Sequence, residues 1–158
     1  MSPASRVSAL AIAVSRQGVK PVIAESRLAG AARVALRAEK VRHALISITL
    51  VTAPRMAAIN STHLGHQGAT DVISFGFSRE RGAPFVADIY IAPAVARANA
   101  RQHGVAVREE LVRLVVHGVL HALGHDHPDG DARFRSPMWR RQEALVKRAM
   151  RIAGRRAA

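Results

Sequence analysis

The chain has 158 residues, no cysteine, and a formal net charge of +13 carried by 21 arginines and three lysines. This length buries one core rather than two, and the lack of cysteine excludes disulfides, thiolate metal sites and a cysteine nucleophile. No apolar run approaches the roughly 18 residues of a membrane span, so a soluble cytoplasmic protein without a membrane partner is expected.

The first apolar stretch, residues 7–14, alternates and lacks a small-residue cleavage site, so it is expected to be a strand rather than a signal peptide. "ESRLAGAARVALRAEKV" places Leu28, Ala31 or Ala32, Ala35 and Leu36 at helical spacing with arginines facing away, which predicts an amphipathic helix. "HALISITLVT" predicts a β-branched strand over about 45–52. "PRMAAINSTHLGHQGATD" begins as a short helix and passes into a glycine-containing loop with two histidines. "DVISFGF" and "FVADIYIA" are expected to be strands separated by the turn-rich "SRERGAP". "PAVARANARQHG" runs from a first-turn proline to Gly104, a helix with its start and stop signals in place.

"REELVRLVVHGVLHAL" is the next helix, stopped by Gly124, and after a polar connection "MWRRQEALVKRAMRIAG" is the last, with Met138, Gln142, Leu145 and Ala149 on one side. Residues 133–156 hold nine basic side chains against one acid, Glu143. Such a field favours polyanions through Coulomb attraction and counterion release, and equally fits a solvated arginine-rich helix face. The element order predicts an α/β (α+β) fold: one small mixed β-sheet of about four strands flanked by helices, of which the one over 108–123 is set apart by the histidines described next, as a zincin-like metal helix.

The chemistry concentrates in "HGVLHALGHDH", which puts four of the eight histidines into residues 117–127. On a helix, positions i and i+4 share a face, so His117 and His121 present their rings to one point. Gly124 permits the left-handed turn that ends helices, and His127 beyond it is placed to close a third corner. Three neutral imidazoles suit zinc, and three protein ligands leave one tetrahedral position open, as in catalytic sites. A closed structural site would need a fourth ligand, for which His125 or Asp126 is available. The spacing is that of the extended zincin motif, with Gly118 where that motif has its glutamate base. Glycine moves no proton, which argues against peptide hydrolysis while keeping the metal.

"HGVLHALGHDH" resembles the signature His-Gly-x-Leu-His-Leu-x-Gly-Tyr-Asp-His of the YbeY-type rRNA maturation factors. "ISITLVT", "TDVISF", "ADIYIA", "EELVRLVVHG" and "MWRRQE" resemble further family stretches in the same order, over roughly residues 44–146. The resemblance implies a zinc-dependent endoribonuclease of single-stranded RNA, acting in 16S rRNA 3′-end maturation and ribosome quality control. It implies one zinc ion held by His117, His121 and His127, and as partners single-stranded RNA or rRNA and the small ribosomal subunit. DNA is not expected.

His125 stands at a tyrosine position of the family and is read as a turn cap rather than a ligand or proton donor. Asp126 is a candidate to hydrogen-bond a ligand imidazole and fix its tautomer. The loop "NSTHLGHQGATD" departs from the family's Asn-x-x-Tyr-Arg-x-x-Asp-x-Pro-Thr-Asp: His63 replaces the tyrosine, Leu64 the arginine and Ala69 the proline. Leu64 cannot contact phosphate, which leaves His66 as the candidate substrate contact.

Asp71 is expected to organise its loop, Asp88 to be structural, and Glu110 to be a solvated first-turn acid about two turns from His117. Met138 and Trp139 are read as core-packing residues rather than a base-stacking platform. Residues 1–158 are thus expected to form a single metal-dependent hydrolase domain, with the metal motif at 117–127 and a basic C-terminal helix over about 137–153. The competing readings are a ribosome-assembly or RNA-binding factor whose metal only holds the fold, and a zincin-type peptidase.

Overall fold

The computed structural model describes residues 9–65, 68–77 and 80–157. Along the chain it forms β1 (Ala9–Gln17), α1 (Glu25–Ala38), β2 (His43–Val51), α2 (Ala53–Leu64), β3 (Val72–Phe77), β4 (Phe85–Ile91), α3 (Pro93–His103), α4 (Val107–Ala122) and α5 (Pro137–Ala157). The strands make one sheet in the order β1-β2-β4-β3. Helical crossovers run β1, β2 and β4 parallel, and the short connection between β3 and β4 makes that pair antiparallel.

The first two residues of the expected strand, 7 and 8, lie outside the described residues, and β1 ends three residues later than its apolar pattern suggests, because it pairs with the whole of β2, from Ala9 opposite His43 to Gln17 opposite Val51. Leu10, Ile12 and Val14 turn inward as the alternation requires. α2 is longer than expected and carries His63 inside it. The Thr52 hydroxyl caps its start by accepting the Arg55 N–H at 3.2 Å, and Gly65 ends it at φ 68°. Met56, Ile59 and Asn60 bury one face of this helix, so packing carries it past the point where the local pattern fades.

One face of the sheet carries α1, α4 and α5. Ala44, Ile46, Ile48 and Leu50 of β2 and Ala87, Ile89 and Ile91 of β4 meet Leu28, Leu36, Leu111, Val115, Leu120 and Leu145 there. Each large side chain so buried contributes about 1.5–3 kcal/mol. The other face holds a smaller cluster of Val51, Met56, Ile59, Ile73 and Ala92.

α4 is the central helix, with nine of its sixteen residues buried, so its position is set by packing before any ligand is considered. Gly76 fixes its C-terminal end. A Cβ on Gly76 would stand 2.4 Å from the Ala122 carbonyl oxygen, so β3 and the last turn of α4 touch backbone to backbone one residue from His121.

Candidate metal centre and its cleft

α4 brings His117 and His121 onto one face, and its end is a hydrogen-bonded reversal. The Gly124 N–H donates to the His121 carbonyl at 2.9 Å and the His125 N–H to the Leu120 carbonyl at 3.0 Å, with Gly124 at φ 103°. This returns His127 to the other two rings. The ring centroids lie 4.8, 5.3 and 5.2 Å apart, and the ligand nitrogens all lie within 4.8 Å of one another. All three side chains are half-buried.

Hydrogen bonding assigns the tautomers. His127 Nδ1 lies 2.9 Å from the Pro128 carbonyl oxygen, which only accepts, so the proton sits on Nδ1. His117 Nδ1 lies 2.7 Å from Gln142 Oε1, and the Gln142 amide is itself oriented by donating Nε2–H to Glu143 at 3.2 Å. In the neutral form of each ring this leaves the lone pair on Nε2, turned away from these partners. Burial, with the neighbouring histidines, holds the His117 imidazole below its ordinary pKa against the Gln142 contact, and burial followed by His127 does the same for His121. Neutral, converging imidazoles with free lone pairs fit a divalent metal ion.

Asp126 acts on this loop by another route than the one expected. Its Oδ1 accepts the backbone N–H of His127 at 2.8 Å, so it shapes the main chain that presents the ligand rather than a ligand imidazole. His125 points away from the triad and bonds through Nε2 to Glu39, the residue that caps α1. Arg141 of α5 donates to the same carboxylate at 2.9 Å and to the Ala38 carbonyl at 2.9 Å. Glu39 thus ties the metal loop, α1 and α5 together. Burial alone would raise its carboxyl, but the bonds from Arg141 and His125 outweigh that and hold it below the ordinary value of 4.5.

A depressed carboxyl pKa stabilises the fold above the unfolded-state value, and the contribution is lost as pH falls through the folded-state value. Glu39→Gln is therefore expected to lower unfolding stability by about 1–3 kcal/mol at neutral pH. In urea titrations the gap to wild type should narrow once the pH drops below 4.5. A gap constant with pH would show that Glu39 contributes shape rather than charge.

The triad opens onto a cleft of about 420 Å³ lined by His117, His127, Glu110, Arg113, Phe134 and Trp139, among others. Glu110 is not the solvated acid that its first-turn position suggests. It is 7% exposed, its position one helical face with His117 turns it into the cleft wall, and it pairs with Arg113 at 3.0 Å. Burial pushes its carboxyl above the ordinary value, with Arg113 opposing. Arg113 also donates twice to Glu143, at 2.9 Å each, so its guanidinium is committed to carboxylates.

Asp71 accepts from the Asn99 amide at 3.1 Å while its carbonyl accepts the Ala92 N–H, the loop-organising part expected of it. Asp88 accepts the Ser47 hydroxyl at 2.8 Å and is structural. Met138 is core as expected, but Trp139 is half-buried and faces the cleft. Leu64 stands 46% exposed at the end of α2, and His63 packs edge-on against Phe75. His66 lies outside the described residues.

Comparison with known proteins bears directly on this site. A family model described as Endoribonuclease YbeY matches residues 15–150, a span that includes every residue of the triad and the cleft. The chain belongs to the YbeY endoribonuclease family. Curated relatives carry the same description: one from Frankia alni is 33% identical over 87% of this chain and 81% of its own length. Another, from Acidothermus cellulolyticus, is 35% identical over 83% and 88%. The solution structure of TM1509 from Thermotoga maritima superposes with a TM-score of 0.57 at 25% identity, covering 87% of this chain and 88% of that one. The small mixed sheet with flanking helices seen here is thus a fold that the chain shares with that structure. Among the described residues no helix is long and apolar enough to cross a membrane.

Proposed function

We propose that this chain is a zinc-dependent endoribonuclease of single-stranded RNA, with the ion held by His117, His121 and His127. Its place is the cytoplasm, in 16S rRNA 3′-end maturation and ribosome quality control on the small ribosomal subunit. The observation that carries the metal part is the tautomer assignment: two of the three rings have Nδ1 committed to oxygen acceptors, leaving Nε2 for an ion. Family membership carries the choice of RNA.

When bound, the ion supplies Lewis acidity to a phosphate oxygen and a lowered pKa to water at the open position. The chain's own residues do the positioning. Gln142, locked by Glu143, keeps the His117 ring from rotating, and the Pro128 carbonyl does the same for His127. Arg113 is spent on Glu143 and Glu110, so the backbone phosphates are left to exposed arginines such as Arg133, which lines the cleft. A flexible single strand can bend into a pocket of this size, whereas a stiff duplex cannot.

The test is metal analysis of the purified chain alongside cleavage of a single-stranded RNA, before and after EDTA and after zinc is restored. Cleavage should fall to background on chelation and return with zinc. Undiminished cleavage by the metal-free chain would remove the metal from the reaction, and a folded, zinc-loaded chain that leaves RNA intact would refute the activity. A 2′,3′-cyclic phosphate on the product would identify the RNA 2′-hydroxyl as nucleophile.

A further inference from the structure

Next to the triad, the same cleft holds an aromatic corner with no role in holding metal. Trp139 and Phe134 meet edge to face, with centroids 4.8 Å apart and planes at 86°. Phe134 is 38% exposed, and the Arg133 guanidinium carbon lies 4.7 Å from its ring centroid. The corner is built firmly. The Ser136 hydroxyl, itself buried, donates to the Arg133 carbonyl at 2.7 Å and accepts the Trp139 N–H at 3.2 Å, pinning the turn before α5 to the helix start.

We infer that Phe134 and Trp139 form a nucleobase-stacking subsite beside the metal centre, which holds an unpaired base of the RNA strand next to the scissile phosphate. This deepens the ribonuclease reading and rests on it. Three observations favour a nucleobase over an apolar side chain of a protein partner. The aromatic corner and His117 and His127 line one continuous cavity, so a strand held at the metal lies within reach of the rings. The cavity, about 420 Å³, is within the range of about 300–1,000 Å³ typical of small-ligand sites. Exposed Arg133 lines the same cleft and exposed Arg135 follows Phe134 in the sequence, in a chain of net charge +13, which suits the phosphates around a stacked base. Aromatic faces accept any base, so the subsite confers preference for unpaired nucleotides rather than for sequence.

The chain contains one tryptophan, Trp139, so its fluorescence reports on the subsite directly. Wild type is titrated with a short 2′-O-methyl oligoadenosine, which has no free 2′-hydroxyl, and with the same backbone carrying abasic residues. The base-bearing strand should quench the fluorescence and the abasic strand should not. Equal quenching by both, or by neither, overturns the inference.

In cleavage assays Phe134→Ala, a substitution at an exposed ring, should raise KM on the order of 5- to 100-fold, the range for losing one base–aromatic stack, with kcat largely kept. Trp139→Phe should retain most of the affinity. An unchanged KM in Phe134→Ala, with wild type cleaving normally, removes the subsite and leaves the ribonuclease reading intact. Wild type that quenches with bases but does not cleave keeps the subsite and removes the activity.

Discussion

His121→Ala is expected to leave the fold standing, empty the metal site, and lower RNA cleavage on the order of 10³-fold or more. The fold survives because the contribution of His121 to the end of α4 is made by its backbone: its carbonyl accepts the Gly124 N–H whatever the side chain. Alanine is the best helix former, so the last turn is not weakened locally. The side chain is half-buried and meets the other two rings of the triad. The metal is lost because two imidazoles leave a divalent ion with too few protein ligands for a stable tetrahedral site. Losing Lewis-acid stabilisation worth several kcal/mol corresponds to about a thousandfold in rate.

Circular dichroism, metal content and cleavage of single-stranded RNA, measured together, separate the cases. Cleavage that persists without metal would sink the catalytic reading. Collapse of the fold together with loss of metal would make the ion structural, and the chain a binding factor.

Much of this site is written locally in the sequence. The i, i+4 pair on α4, the glycine that reverses the chain and the third histidine are all neighbours within residues 117–127, and local geometry suffices to join them. What supports the triad is not local. Gln142 reaches His117 from 25 residues away, and Glu39 reaches His125 from 86 away. No periodicity carries such pairings.

One signal was nevertheless present. Gln142 sits on the apolar stripe of Met138, Leu145 and Ala149, and a polar residue buried in such a stripe needs a partner. Gly76 offered a similar sign, since a glycine inside a strand marks close backbone approach. Trp139 gave none, and Glu110 only the helical face it shares with His117, seven residues on. Whether a side chain on α4 or at the start of α5 meets solvent or a cleft depends on how the helices pack, which neither helix encodes alone.

Gly118→Glu, which would restore the zincin sequence, is expected to cost about 3–5 kcal/mol of folding stability and to yield no peptidase. In this chain position 118 is buried on the sheet side of α4. A Cβ there would lie 3.0 Å from Ile89 Cγ2 and 3.3 Å from Ile89 Cδ1, so even alanine makes Ile89 give by a few tenths of an ångström. A glutamate would drive a carboxylate into the apolar layer between α4 and β4, and desolvation would set the cost.

Gly118→Ala separates the contributions. Its gain of about 1 kcal/mol in helix propensity opposes the strain at Ile89, leaving a small net effect of either sign. Urea unfolding of both variants and a peptide-library assay on Gly118→Glu provide the check. A stable Gly118→Glu protein that hydrolyses peptides would mean that position 118 faces the triad. Lack of a base at 118 alone would leave peptidase activity one substitution away. Contact with Ile89 closes that route as well, because the position that could carry the base is the one on which the metal helix rests against the sheet.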